Sequence, residues 1–403
     1  MNTENGRVRL YATLSVIAFV TVFVTALAVG RYSLSLGDVM DFLLGNLPHD
    51  SNPYKVISEL RLPRTIIAAL VGIGLGLSGL LYQETFQNKL VSPDFLGVTS
   101  GACVGAAAAI LLGLSAAMIS LLAFIAGVVT VMLTLTLSKV FQNRSPTILL
   151  LSGIIIGGLM SALLAVIKYF ADPDSTLSSI TFWLMGSCEH TTMGDAAILL
   201  PIIATCAMVL VVLRWRINLV ALGREEAQTK GLNYTLYRRA IILMATLMTA
   251  SAVSIVGSVG WIGLVIPHMV RILVGRNTAN TIPLTILFGG IFMILVDIIS
   301  RSFTDAEVPL AAISGLFGTV IFIGILYIRR RTILESDRSR QSIVRLRNWK
   351  GRCPGRDIID LREGLRQRPD RVERLREDHP DKGHGRIRGS EGRHRQALRK
   401  GPL

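Results

Sequence analysis

Residues 11–30 read YATLSVIAFVTVFVTALAVG, a nearly uninterrupted apolar run. About 20 such residues are needed for a helix to cross the hydrocarbon core of a bilayer. Arg7 and Arg9 precede the run, and the sequence Ala-Leu-Ala at residues 26–28 looks like a signal-peptide cleavage site. The apolar core of a signal peptide is shorter, however, at about 7–15 residues. The run therefore predicts a first spanning helix with its amino terminus in the cytoplasm.

Further apolar segments follow the first, and the composition of the whole chain agrees with them. The 403 residues are 51% hydrophobic and 17% charged, with a mean hydropathy of +0.53. This balance excludes intrinsic disorder or a small disulfide-rich scaffold for the chain as a whole. The sequence predicts an all-α polytopic membrane protein with about ten transmembrane helices. The segments after the first are residues 65–82, 95–114, 117–137, 147–170, 196–213, 240–256, 261–273, 282–299 and 309–328.

The net charge of +15 lies mainly in the carboxyl-terminal tail. Residues 332–403 contain 20 Lys and Arg and 11 Asp and Glu, so the preceding body is only mildly basic. The basic residues of this body are distributed by loop and form no stripe suited to phosphates. We therefore expect a transmembrane domain at residues 1–331, a basic tail at residues 332–403, the lipid bilayer as surroundings and no nucleic-acid partner.

The connections between the apolar segments alternate in charge. Alternation places the basic connections on the side of Arg7 and Arg9, which the positive-inside rule assigns to the cytoplasm. The opposite side receives residues 30–64, 172–174 and 301–308, which are mixed or acidic apart from a few arginines. The pattern predicts a multi-pass protein of the cytoplasmic membrane with both termini inside. The remaining basic positions on the cytoplasmic side are Lys89, Arg144, residues 214–239, Arg271, Arg276 and residues 329–331.

Six long motifs follow one another along the body. They are RLPRT at residues 61–65, LSGLLYQETFQNKLVSPDFLGVTSGA at 77–102, FWLMGS at 182–187, LGREEAQTKG at 222–231, GWIGLVIPHMVR at 260–271 and VDIISR at 296–301. In these motifs the chain resembles the permease subunit of type II ABC importers for iron-siderophores, haem or cobalamin. Lys89 and Thr229-Lys230 depart from the family pattern, which usually has proline and Ser-Leu there.

The resemblance implies a subunit that moves its cargo by alternating access at an interface between two permeases. Its partners would be a second copy or a paralogue, two ABC ATPase subunits that hold the ATP and Mg²⁺, and an extracytoplasmic substrate-binding protein. The breadth of the family favours ferric siderophore over cobalamin or haem. The sequence leaves open the cargo itself and the choice between homodimer and heterodimer.

The body carries no arrangement of residues suited to catalysis. No Walker loop, paired carboxylates, Ser-His-Asp arrangement or metal-ligand cluster occurs before the tail. His268 has no second ligand nearby in sequence, which favours a structural role at a helix end over metal binding. The chain is expected to be no enzyme and to bind no cofactor or metal.

Asp297 lies within an apolar segment, and an ionisable group there suggests function by default. The alternative hypothesis for the whole chain is an ion-coupled secondary transporter that uses this carboxylate. Arg301 follows at i+4, the spacing at which side chains on one helix face meet. The spacing favours a locally paired charge and hence the ATP-driven importer.

Residues 214–239 form the most informative connection. Its residues suit a short amphipathic helix, a glycine turn and a second short helix, although a solvated charged loop has the same composition. The resemblance implies that this element fits a groove of the ATPase and transmits its movement. The ATPase-coupling residues are Leu222, Gly223, Arg224, Glu225, Glu226, Ala227 and Gly231.

Three arginines, Arg61, Arg64 and Arg301, fall on the predicted outer side, where basic residues are disfavoured. Guanidinium groups pair with carboxylates through two parallel hydrogen bonds. The resemblance implies that they dock acidic residues of the binding protein. Helix capping or contact with lipid headgroups is the alternative.

The translocation path is expected to run between two copies, because one bundle offers no sizeable polar lumen. Its wall candidates are Ser78, Gln83, Ser152 and Gly153, with an outer gate near residues 172–186. Hydrogen bonding between helices is the alternative role for such small polar residues.

The tail does not follow the family pattern. Its Arg, Gly, Asp and Pro content without apolar periodicity predicts a disordered basic segment that touches anionic lipid. A second interpretation is a frameshift: residues 371–379, RVERLREDH, fit the codons of a Walker loop read one nucleotide out of register. The tail would then be the out-of-frame start of the partner ATPase.

Overall fold

The computed structural model describes residues 2–141, 146–275, 277–304 and 306–328. The predicted tail at residues 332–403 lies outside the described residues, so its disorder and its origin stay predictions. Arg144, Arg276 and residues 329–331 of the topology argument also lie outside them.

The described residues fold into helices with no strand among them, as predicted. The first group is α1 (Asn2–Ala28), α2 (Leu36–Leu43), α3 (Asn52–Lys55), α4 (Leu62–Thr85), α5 (Val98–Leu111), α6 (Ala116–Val140) and α7 (Pro146–Phe170). The second group is α8 (Thr176–Met185), α9 (Met193–Ala221), α10 (Arg224–Thr229), α11 (Tyr234–Val256), α12 (Ile262–Val274), α13 (Thr278–Ser302) and α14 (Leu310–Ile328). A π-helical turn, Val56–Arg61, leads into α4, and a 3₁₀ turn, Pro93–Leu96, leads into α5.

Eight of these helices are long and apolar enough to cross a bilayer: α1, α4, α6, α7, α9, α11, α13 and α14. The other two predicted segments form α5 and α12, which have only 14 and 13 residues. The all-α membrane fold is therefore confirmed, whereas the count of ten spanning helices stays a prediction. The short helix α8 lies in the predicted outer gate.

Helix α4 lies at the centre of the bundle, with α9, α11, α12 and α13 packed around it. Twenty of its 24 residues are buried, compared with five of 25 in the peripheral α7. Glycines permit this packing, because small residues let helix backbones approach closely in lipid. A Cβ atom on Gly72 would lie 2.1 Å from the Gly289 carbonyl of α13, and one on Gly79 would lie 2.0 Å from the Gly263 carbonyl of α12. The glycines of α4 thus have a packing role.

Candidate functional site

A short helix, α10, connects the long helices α9 and α11 at one end of the bundle. We call this end, with residues 86–92 and 221–233, the α10 end. Gly223 at the start of α10 has φ +104° and Gly231 after it has φ +76°. Glycine adopts such positive φ values more readily than other residues, because it has no Cβ atom. The predicted short helix and glycine turn are therefore present. The predicted second short helix is wrong, because residues 214–221 continue α9 and α11 begins at Tyr234.

Five of the seven predicted coupling residues are exposed, and two are buried. Ala227 is fully buried and anchors α10 to the bundle, and Gly223 is buried at its start. The exposed residues are Leu222, Arg224, Glu225, Glu226 and Gly231. Helix α10 thus offers a charged outer face that a partner protein could contact.

Side chains of the surrounding helices hold the α10 end in place. The Arg216 guanidinium of α9 donates a hydrogen bond to the Tyr237 hydroxyl of α11 and lies 5.6 Å from the centre of the Tyr237 ring. The Asn218 side chain accepts a hydrogen bond of 3.1 Å from the Thr278 backbone N–H at the start of α13. These contacts join α9, which leads into α10, to α11 and α13.

The predicted pathway residue Gln83 joins α4 to α12 instead of facing a path. Its Nε2 donates to the Gly263 carbonyl at 3.1 Å, and its Oε1 accepts from the Arg271 guanidinium. Arg271 also forms an ion pair of 3.1 Å with Glu84. Gln83 is only 1% exposed, so the structure corrects its expected placement on an open wall.

The other pathway candidates also lie inside one chain. Ser78 donates to the Leu75 carbonyl and Ser152 donates to the Ile148 carbonyl, each within its own helix. A Cβ atom on Gly153 would lie 2.0 Å from the Phe95 carbonyl. All of these residues are buried. They therefore do not form a surface that two copies could share, and the path between two copies stays a prediction without assigned wall residues.

The opposite end of the bundle contains the three predicted docking arginines. We call this end, with α8 and residues 186–192, 303–304 and 306–309, the α8 end. The Arg64 Nε donates to Asp297 Oδ1 at 2.7 Å, and its two terminal nitrogens donate to the Glu307 carboxylate at 2.6 and 2.9 Å. Arg64 is 7% exposed. Two carboxylates of the same chain therefore cover Arg64 in this structure.

Arg61 and Arg301 are buried as well. Arg301 donates to the Ala26 carbonyl of α1 at 2.6 Å. Arg61 donates to the carbonyls of Leu27, Ala28 and Tyr32. Both side chains thus tie the end of α1 to the bundle. Docking itself stays a prediction.

Asp297 is fully buried and lies between two arginines. Arg301 Nε is 3.4 Å from Asp297 Oδ2, which is the predicted i+4 ion pair. The second partner, Arg64, lies 233 positions away in sequence. Both partners are guanidinium groups of the same chain, which favours a locally paired charge over an ion-coupling site.

The sequence did not indicate that Glu307 pairs with Arg64, or that hydrogen bonds hold the segment around it in place. The Val308 N–H donates to the Ser300 carbonyl at 3.1 Å, and the Leu310 N–H donates to the Gly186 carbonyl at 3.1 Å. Together with the Arg64 pair, these bonds join the segment before α14 to α4, α13 and the end of α8. The acidic character of residues 301–308 was the only signal of this role in the sequence.

Cys188 and His268 both fit structural roles. Burial raises the pKa of the Cys188 thiol, and the nearby Asp297 carboxylate acts in the same direction. The thiol is therefore protonated and unreactive at neutral pH. His268 Nδ1 lies 3.0 Å from the Leu264 carbonyl, and its ring packs edge-on against Phe322.

A cavity of about 1500 Å³ opens at the α8 end between α6, α8, α9 and α11. Phe124 and Trp183 contribute to its apolar wall. Within the described ranges no group of three or more His, Cys, Asp or Glu side chains could hold a metal ion. The cavity therefore combines an apolar wall with several charged lining residues. Its titratable lining residues are Arg31, Glu189, His190, Asp195 and Glu307.

Comparisons with known proteins place this architecture among transport proteins. The model of the FecCD transport family matches residues 17–329. The chain is 38% identical over 311 residues to the molybdate import system permease protein MolB of Haemophilus influenzae, covering 76% of this chain and 92% of that protein. It is 34% identical over 317 residues to an iron chelatin transport system permease protein of Helicobacter pylori, covering 77% and 96%. A solved inward-facing ABC transporter of the metal-chelate type matches with a TM-score of 0.71 and 36% identity, covering 78% of this chain and 98% of that chain.

Proposed function

Because the chain belongs to the FecCD transport family, we propose that it is the membrane permease subunit of an ATP-driven importer. The observation that carries this proposal is α10, a charged and exposed helix of six residues at one end of an apolar bundle. In an ATP-driven importer, the permease receives its energy through contact with the subunit that hydrolyses ATP. The braced α10 end is suited to that contact.

The full assembly would contain a second permease copy or a paralogue, two ABC ATPase subunits and an extracytoplasmic binding protein. The ATPase subunits would meet α10 and hold the ATP and Mg²⁺, and this chain would bind no cofactor. The α10 end and both termini would then face the cytoplasm. The basic residues Arg216, Arg224, Arg238 and Arg239 near α10 support this orientation.

The ion-coupled transporter is the less favoured alternative. It would need an acid inside the membrane that can gain and lose a proton or hold a cation. Asp297 is the acid that the sequence suggested, and it is paired with Arg64 and Arg301.

The cargo is proposed to be a ferric siderophore, as the iron chelatin permease relative supports. The identity of 38% to the molybdate permease favours molybdate as a second candidate. The discriminating experiment is uptake of labelled ferric siderophore, cobalamin, haem and molybdate by cells with and without this chain. Loss of ferric siderophore uptake alone supports the first cargo, and loss of molybdate uptake alone supports the second.

The binding protein is proposed to approach the α8 end, where Arg64 would exchange Glu307 for a carboxylate of the partner. Replacing Glu307 with glutamine should then strengthen binding-protein affinity about tenfold, because a charge-assisted bond within the chain no longer competes. Affinity for the reconstituted permease is the measurement.

The matched control is Glu189→Gln, which removes a charge from the same cavity without touching the ion pairs of Arg64. If both variants raise binding-protein affinity equally, the gain comes from removing a negative charge from the cavity and not from releasing Arg64. Unchanged affinity in Glu307→Gln would mean that Arg64 is a structural residue only.

A further inference from the structure

The turn that follows α4, residues 86–92, contacts the base of α10. Gln87 Nε2 donates a hydrogen bond of 3.3 Å to the Ala221 carbonyl at the end of α9. A Cβ atom on Gly223 would lie 2.7 Å from the same Nε2. The Gln87 amide therefore occupies the space beside the first residue of the α10 connection, and the absence of a side chain at position 223 makes room for it.

Gln87 adopts a backbone conformation that its side chain does not favour. Its φ is +52°, and Trp261 is the other non-glycine residue with a positive φ within the described ranges. Such conformations are uncommon outside glycine and persist only where the surrounding structure enforces them. The hydrogen bonds of the turn enforce this one, because the Gln87 N–H donates to the Glu84 carbonyl at 3.3 Å and the Asn88 N–H donates to the Gln83 carbonyl at 3.2 Å.

The turn is thus fastened to the last residues of α4. Those residues, Gln83 and Glu84, are the ones that bind Arg271 of α12. A continuous set of contacts leads from the base of α10 through Gln87 to α4, the central helix of the bundle. Helices α9 and α11 are connected to α10 by the chain itself, whereas α4 is not, so Gln87 supplies a link that the covalent structure lacks.

We propose that Gln87 is a positioning residue that fixes the base of α10 to the carboxyl end of α4, so that movement of α10 reaches the bundle centre. This inference rests on the proposed function, since it assumes that the ATPase acts on α10. It assigns a role in energy transfer to a residue outside the 214–239 connection.

The first test replaces Gln87 with glycine in the full assembly of permease, ATPase and binding protein. Glycine accepts the positive φ, so the turn can keep its shape while the amide is lost. The ratio of ATP hydrolysis with and without loaded binding protein should fall at least about threefold, a typical effect for a residue that carries coupling. Gln87→Glu, which keeps the shape but removes the donor, should behave alike, and Gln87→Lys, which restores a donor, should recover part of the ratio.

The second test uses two glycines as a matched pair. Gly223 and Gly231 both have positive φ, but a Cβ atom on Gly231 has no atom within 4 Å. Gly223→Ala should therefore lower the ratio more than Gly231→Ala when Gln87 is present. In the Gln87→Gly background the loss caused by Gly223→Ala should become smaller, because the clash partner is gone, whereas the loss caused by Gly231→Ala should not change.

A wild-type ratio in Gln87→Gly, or equal effects of the two alanine variants with Gln87 present, would overturn the inference. The proposed function would survive that result if charge reversal on α10 still abolished stimulation. Absence of any stimulation in the wild-type assembly would instead count against the proposed function itself.

Discussion

Replacing Asp297 with alanine is expected to lower the free energy of unfolding by about 3–5 kcal/mol, the cost of breaking a buried ion pair by removing one partner. Asp297 is fully buried and pairs with Arg64 at 2.7 Å and with Arg301 at 3.4 Å. Its removal leaves Arg301 without a carboxylate partner among the described ion pairs. The measurement is unfolding of the purified permease in detergent.

The double variant Asp297→Ala/Arg301→Met is the matched control. It removes both members of the i+4 pair, and Arg64 keeps Glu307, so part of the lost stability should return. An Asp297→Ala protein as stable as wild type but inactive in transport would contradict this account. That result would support the ion-coupled alternative, in which the carboxylate carries cargo or protons.

Reversing two charges on α10 should have the second large effect. Glu225 and Glu226 are both exposed, so Glu225→Lys/Glu226→Lys should leave the fold intact. If α10 contacts the ATPase, reversing two charges disturbs the charge complementarity of that contact, and stimulation of ATP hydrolysis by loaded binding protein should fall more than tenfold. Stimulation in proteoliposomes, with co-purification of the ATPase, is the measurement.

The matched control for this variant is Glu59→Lys, which reverses an exposed charge just before α4, away from α10. It should retain stimulation at saturating binding protein. Full stimulation in the double α10 variant would show that α10 is not the transmission element.

The spanning helices could be predicted because apolar length alone selects them. The end of α9 and the start of α11 could not be predicted, because residues 214–221 and 234–239 include charged residues, as loops do. No glycine or proline interrupts α9 after Pro201 until Gly223, so the helix continues past the apolar segment. Helix continuation depends on the absence of breakers as well as on hydropathy.

The candidate site was predictable only where its contacts are local. The Asp297–Arg301 pair follows from i+4 spacing, and the short helix α10 follows from its flanking glycines. Glu307 bonds Arg64 across 243 positions, so no periodicity indicated that these docking candidates would be covered. The contact between Gln87 and Ala221 spans 134 positions and escaped prediction for the same reason.

If this chain is the permease of an ATP-driven importer, uptake must draw its energy from ATP and not from an ion gradient. The measurement is uptake of labelled ferric siderophore or molybdate by proteoliposomes that contain the permease, its ATPase and its binding protein. We expect uptake that requires enclosed ATP and persists when an ionophore collapses all ion gradients. Uptake that proceeds without ATP and stops with the ionophore would contradict it.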